Sequence, residues 1–203
     1  IGAFGAADVA VSSTGSLLYT VGRGITTAQP LWVDRTGAST PVDTSWRDAF
    51  ANSVALSPDG SRLALHLSLP SAGSTSRTED IWVKQMPAGP MSRLTFEGEQ
   101  NRRPTWSHDG RDILFISSRN GLPALYRQRA DGSAKAERVA VAPSAAGKGT
   151  EVPLAEGLES PDGRWIVVRS EQGTPGDGDI LAMQIGVDAF PKPLIATPFR
   201  EAS

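Results

Sequence analysis

A serine stands two residues before an aspartate three times in the chain: Ser57 and Asp59 in "SPDG", Ser107 and Asp109 in "SHDG", and Ser160 and Asp162 in "SPDG". A hydroxyl and a carboxylate make two members of a nucleophilic triad only if a histidine base is within reach. The chain has two histidines, His66 and His108. His66 lies inside the apolar stretch "RLALHL" and reads as a half-buried strand residue, while His108 fills a turn position that Pro58 and Pro161 take in the sister motifs. No Gly-x-Ser-x-Gly elbow is present either. No triad is therefore expected within the chain, and the three motifs read as hairpin turns. Proline presets φ, Asp59, Asp109 and Asp162 can accept from nearby backbone amides, and Gly60, Gly110 and Gly163 tolerate a positive φ.

Other residue groupings with chemical potential are weaker. "AGKGT" (Ala146 to Thr150) places Lys148 among glycines, but a phosphate loop needs glycine where Ala142 stands and Ser or Thr where Gly149 stands. It is expected to be a flexible loop. "GDGD" (Gly176 to Asp179) offers two carboxylates at i and i+2, a spacing found in calcium loops, with no third ligand or bidentate Glu beside it. No cofactor or metal is expected. Of the tryptophans, Trp32, Trp82, Trp106 and Trp165 fall at corresponding strand positions or beside a turn and read as core packing. Trp46, in the polar connector "TSWRDAFAN", has no such counterpart.

Composition limits the function classes. Twenty Lys plus Arg against 22 Asp plus Glu give a formal charge of -2, with no basic stripe interleaved with aromatics, so nucleic-acid binding gets no support. There is no cysteine, which removes disulfides and thiolate zinc sites and leaves the compartment open. The densest apolar runs, "ILFI" and "WIVV", are four residues long, far short of a bilayer span, so no membrane insertion is expected. The first residues, "IGAFGAADVAV", carry no initiator Met and no cleavage-type leader, and the chain is expected to be a piece of something longer.

The elements that would position these residues repeat. Gly60, Gly110 and Gly163 are 50 and 53 positions apart, and "VSSTGSLLYTVG" gives a degenerate earlier copy at Gly15, 45 positions before Gly60. Each copy holds four short strands, clearest in the third: "PTWS", the turn "HDG", "RDILFISS", the loop "RNG", "ALYRQRA", the turn "DG", then "ERVAV". The second strands "DILFI" and "WIVV" are apolar on consecutive residues, so both faces of each sheet must be covered. Antiparallel units of this size, each buried on both faces by its neighbours, stack radially into a β-propeller. The strand before "DG" would be innermost in its blade. The expected fold is therefore all-β, with four four-stranded antiparallel blades spanning about 1–45, 46–97, 98–148 and 149–203 as a single propeller region.

"PTWSHDGRDILFISSRNGLPALYRQRADGSAKAERV" resembles the TolB-type, WD-like propeller repeat of bacteria, with the match strongest from Pro104 to Tyr126. "VSSTGSLLYTVGRG" followed by "PLWVDRTGASTPV" is similar to the propellers that follow the kinase domain and membrane span of bacterial Pkn-like serine/threonine kinases. His108 in place of proline, the missing Asp in the first copy and the missing Trp before Ser160 depart from the pattern. The resemblance implies an extracytoplasmic binding or sensing module and a ring of six to eight blades. Four blades would then be a fragment cut near "FREAS", whose terminal blades need the remaining blades or a second copy to cover them. A closed four-bladed ring is the alternative. As function, the resemblance implies a non-catalytic module for a protein, peptide or small-molecule ligand, attached to a membrane-anchored kinase. The alternatives are the gating propeller of a prolyl-oligopeptidase-type serine peptidase and a free periplasmic TolB-like protein.

Propeller geometry puts the "SPDG" turns on one face and the connectors between blades, with the second-to-third-strand loops, on the other. The second group varies most in length and composition, as binding loops on a fixed scaffold do. Trp46, Arg47, Asn101, Arg102, Arg119 and Glu156 are the expected ligand or partner contacts there. The competing reading is that Arg102, Arg103 and Arg119 cap strand ends or pair with Glu97, Glu99 and Asp112.

Overall fold

The computed structural model describes residues 9–11, 17–21, 29–44, 50–70, 77–98, 100–143, 151–171 and 178–195. They fall into two compact units that divide between Thr95 and Phe96. Each unit holds two four-stranded antiparallel sheets, and no described residue is helical.

In the first unit, β1 (Val9–Val11), β2 (Leu17–Val21), β3 (Gln29–Val33) and β4 (Ser39–Pro41) pair in sequence order, and so do β5 (Phe50–Leu56), β6 (Arg62–Pro70), β7 (Arg77–Gln85) and β8 (Met91–Arg93). Sequence order is the meander that short turns between apolar bursts dictate. Strand β5 lies against β1, β2 and β3. Val42, Val54, Leu63, Leu65 and Leu67 form the buried core between the sheets, with Trp32 and Trp82 packed against it. Lys84, itself buried, reaches from β7 to Asp43 (2.8 Å) and to the Gly89 carbonyl (2.7 Å), so the cation that crosses this core is neutralised where it lands.

The second unit repeats the plan with β9 (Asn101–Trp106), β10 (Asp112–Ser117), β11 (Ala124–Arg129) and β12 (Glu137–Ala140). Its second sheet is β15 (Leu154–Glu159), β16 (Trp165–Ser170), β17 (Ile180–Gln184) and β18 (Lys192–Ile195). Between them β13 (Ala142–Pro143) and β14 (Glu151–Val152) form a two-stranded ladder, where the sequence reading has only a connector. The "AGKGT" loop that they flank lies outside the described residues.

Every residue of β10 from Ile113 to Ser117 is buried, which accounts for the consecutive apolar run. The face carrying Leu114 and Ile116 packs with Leu125 against Leu154, Ile166, Val168, Leu181 and Met183 of the next sheet. The fit is close at Gly157: a Cβ there would lie 2.6 Å from Cδ1 of the fully buried Leu125. The Gly157 carbonyl also accepts a hydrogen bond from the Thr105 hydroxyl at 3.0 Å. Beside this contact the Glu159 carboxylate, 2 % exposed, pairs with the Arg127 guanidinium, and His108 Nδ1 lies 2.5 Å from it.

Trp165 corrects the expectation of core packing, because it is 38 % exposed. Strand alternation explains this: Ile166 and Val168 point into the shared core, so Trp165 and Val167 take the opposite face. Leu158, the cross-strand partner of Val167, is likewise exposed. That face corresponds to the one β10 and β11 bury against β15. Gly157→Val should lower the unfolding free energy by about 1–3 kcal/mol, the cost of overpacking a filled core. Denaturant unfolding checks it, and an unchanged midpoint would refute the close-approach argument.

Candidate functional site

The three Ser-x-Asp-Gly motifs are one turn built three times. Ser57 Oγ donates to Asp59 Oδ1 (2.6 Å) and accepts from the Arg62 amide (2.9 Å). Ser107 does the same with Asp109 (2.7 Å) and the Asp112 amide (2.9 Å), and Ser160 with Asp162 (2.6 Å) and the Trp165 amide (2.9 Å). Gly60, Gly110 and Gly163 close the turns at φ of 71°, 68° and 69°, a region that disfavours any side chain. Each hydroxyl is thus spent as donor to the aspartate of its own motif and as acceptor from the backbone amide that follows. No histidine serves any of these serines: His108 is turned to Glu159, and His66, 6 % exposed in β6, has its Nε2 3.6 Å from Glu79.

The opposite ends of β9, β10, β15 and β16 gather most of the expected contact residues. Asn101 is fully buried; its Oδ1 accepts from the Ser117 hydroxyl (2.8 Å) and Arg119 Nη2 (3.2 Å), and its amide donates to the Glu97 carbonyl (3.1 Å). The Arg119 side chain is 9 % exposed, with its guanidinium 4.8 Å from the Tyr126 ring centre and 5.4 Å from that of Phe115. Burial lowers its pKa, against the pull of Glu97. Asn101 and Arg119 therefore hold the β10–β11 loop on β9 and offer little surface to a ligand. Arg119 does pair with Glu97, at 3.7 Å, as the competing reading expects.

Arg102 and Glu156 remain at the surface, about a third exposed, and each meets a residue the sequence did not single out. Arg102 lies 3.8 Å from Glu171; Glu156 lies 3.2 Å from Arg169 and 3.8 Å from Arg103. These contacts of Arg102 and Arg103 reach across to the next sheet, and Asp112 pairs with Arg129. Arg103 has a φ of 55°, the one positive value outside glycine among the described residues. It sits where β9 carries an extra residue opposite β10, between the pairs Arg102–Ile116 and Thr105–Leu114. Trp46, Arg47 and Glu99 lie outside the described residues. Among the described residues no three His, Asp or Glu side chains gather as metal ligands; of "GDGD", Asp177 is outside the described residues and Asp179 donates its amide to Ser170 Oγ.

The repeated turn and sheet order coincide with a match of residues 36–189 to the family model of the TolB beta propeller domain. The chain belongs to the TolB β-propeller domain family. A protein of Bacillus subtilis (strain 168) named as the uncharacterized peptidase YuxL is 33 % identical over 119 residues, 57 % of this chain and 16 % of that protein. Among solved structures, TolB of Acinetobacter baumannii superposes with a TM-score of 0.71 at 19 % identity, over 96 % of this chain and 44 % of that one. A prolyl endopeptidase superposes with a TM-score of 0.59 at 16 % identity, over 90 % of this chain and 28 % of that one. The chain thus spans less than half the length of each of these relatives. At such identities the two structures speak for the propeller fold alone.

The TolB-type turns also carry a pH dependence. The Ser57, Ser133 and Ser160 hydroxyls, with neighbouring amides, hold Asp59, Asp131 and Asp162 down at about 2, from an ordinary 3.8. Depressed carboxylates contribute stability that is complete above their unfolded pKa and is lost as pH falls through the folded value. Stability from these turns should therefore be flat above about pH 5 and fall between about pH 4 and 2. Asp59→Asn and Asp162→Asn together should shrink that acid slope in denaturant unfolding series; an unchanged slope would refute the assignment.

Proposed function

We propose that this chain is a non-catalytic propeller module that binds a protein, peptide or small ligand at the connector end of its blades. The observation that carries this is a division of polar groups. At the "SPDG" end every serine and aspartate is consumed by its own turn, whereas at the other end the part-exposed side chains of Arg102, Arg103, Glu156, Arg169 and Glu171 pair at 3.2–3.8 Å, Glu156 with Arg169 inside one sheet and the other pairs between adjacent sheets. Part-exposed charged groups held on a rigid sheet can re-pair with a partner at small cost. Arg102 and Glu156, with Trp46 and Arg47, are the proposed contacts, and Asn101 and Arg119 act through the framework they build.

The proposed setting is extracytoplasmic, by likeness to TolB, in a bacterial membrane-anchored kinase of the Pkn-like type. The region 1–203 would form blades of about 1–45, 46–97, 98–148 and 149–203 in a ring that other blades or a second copy complete. The exposed Trp165 and Leu158 on a face that the preceding sheet buries support that requirement. The YuxL likeness favours a second reading, in which the propeller accompanies a peptidase domain and screens its substrates.

Arg102→Glu separates the possibilities in the full-length protein. Under the first reading it should reduce partner retention roughly tenfold, the scale of a charge reversal at a contact. Under the second it should raise KM for long peptides and leave kcat on a short ester unchanged. Ser57→Ala, at the turn end, should alter neither. Peptide or ester hydrolysis by the isolated chain that Ser107→Ala abolishes would overturn the non-catalytic assignment.

A further inference from the structure

We infer that Asn120 is a self-modification site: the Gly121 amide nitrogen closes on its side chain and converts a neutral amide into a carboxylate beside Arg119. The inference stands apart from the binding role proposed above.

The first observation is the pair of residues itself. The chain has three asparagines, Asn52, Asn101 and Asn120, and only Asn120 precedes a glycine. In the step, the Gly121 nitrogen gives up its proton and bonds to Asn120 Cγ, the Cγ–Nδ2 bond breaks, and ammonia leaves with that proton. The five-membered imide then takes up one water and reopens, either as aspartate at position 120 or as isoaspartate, with the main chain running through Cγ. Solvent water is the co-reactant, and nothing is oxidised or reduced. A side chain on the following residue would crowd the attacking nitrogen. Gly121 has none, its φ is 101°, and a Cβ there would meet nothing within 4 Å. Both residues are exposed in the β10–β11 loop.

The second observation is a contrast with the aspartates that could close the same ring. Asp59, Asp109, Asp131 and Asp162 also stand before glycines, as does Asp177 outside the described residues. The Ser57, Ser133 and Ser160 hydroxyls hold Asp59, Asp131 and Asp162 down at about 2, and the Arg111 amide and Ser107 hydroxyl lower Asp109. An ionised carboxylate is a poor electrophile, so these turns are chemically protected at neutral pH. An amide does not ionise, and Asn120 lacks that protection. Its restraints are two neutral hydrogen bonds: Nδ2 donates to the Tyr126 hydroxyl at 3.0 Å, and the Gly121 amide donates to the Ser118 carbonyl at 3.0 Å. Ring closure needs both to open, and an exposed loop is where local opening costs least.

The third observation is what the product touches. The Tyr126 ring that carries this hydroxyl lies under the Arg119 guanidinium, 4.8 Å from it, and Arg119 bonds Ser117 and Asn101 and stands 3.7 Å from Glu97. A carboxylate at position 120 turns the Tyr126 hydroxyl from acceptor to donor and brings another anion to a cation whose side chain is 9 % exposed. Glu97, with its side chain 70 % exposed, is the partner it displaces. The isoaspartate form also lengthens the backbone inside the turn that the Gly121–Ser118 bond closes. Conversion thus alters the clamp that holds the β10–β11 loop on β9, and the age of the molecule is its input.

The test incubates the full chain at neutral and mildly alkaline pH and follows each asparagine by peptide mapping that separates aspartate from isoaspartate. Asn120 should convert first, and faster as pH rises, while the buried and bonded Asn101 stays intact. Tyr126→Phe releases Nδ2 and should speed conversion about two- to tenfold, the scale of one hydrogen bond. The wild-type chain unfolded in urea has neither restraint, should convert faster still, and serves if that variant fails to fold. Asn120→Asp should move the Arg119 Nε–H resonance in the direction that incubation moves it. Asn120→Gln, whose six-membered ring closes far more slowly, should keep that resonance still during incubation. An Asn120 that outlasts Asn101, a rate unchanged in both Tyr126→Phe and urea, or an Arg119 resonance unmoved by Asn120→Asp overturns the inference.

Discussion

Strand β10 is buried along its whole apolar length, so the sheet it belongs to has no face it can present to water. Coverage by a neighbouring sheet is the constraint from which the other features of that unit follow. It requires β15 to come close, which only a glycine at position 157 permits beside Leu125. It fixes which residues of β16 point inward, and so leaves Trp165 on the far face. It also brings the first strands of two sheets side by side, and with them the charges that neither sheet would juxtapose alone.

The turn motif answers a different need. Its serine, aspartate and glycine satisfy the backbone of a single hairpin and draw on nothing outside it, which is why the same geometry recurs at Ser57, Ser107 and Ser160 in different surroundings. Local bonds of this kind are legible in sequence, because the residue types and their order determine them. Strand order and the double burial of "DILFI" were legible for the same reason: period and apolarity are properties of one segment.

The candidate site was only partly legible. Arg102 and Glu156 could be placed at the connector end by counting from the turns, but Glu171 and Arg103 meet them from the neighbouring sheet and Arg169 from the next strand, placements that no single segment states. The left-handed Arg103 carries no compositional sign, since arginine is not a residue that marks such a backbone. Asn101 read as a loop contact because polarity suggests exposure; in the structure its polarity is what allows it to be buried and bonded to Ser117 and Arg119. Trp165 misleads in the opposite sense, since a tryptophan after a turn packs inward only when its phase along the strand agrees.

The Glu159 carboxylate gives the sheets an identity that their shared architecture does not. It is enclosed and answered by Arg127 and His108 of the preceding sheet. The positions corresponding to His108 and Arg127 are Pro58 and Val83 in the second repeat and Pro161 and Ala182 in the fourth, none of which can meet a negative charge. A blade carrying Glu159 therefore has one compatible predecessor among the described repeats, and permuting the repeats would bury a lone anion. Near-identical modules are in this way numbered, and the order of the chain is written into the side chains as well as into its covalent sequence.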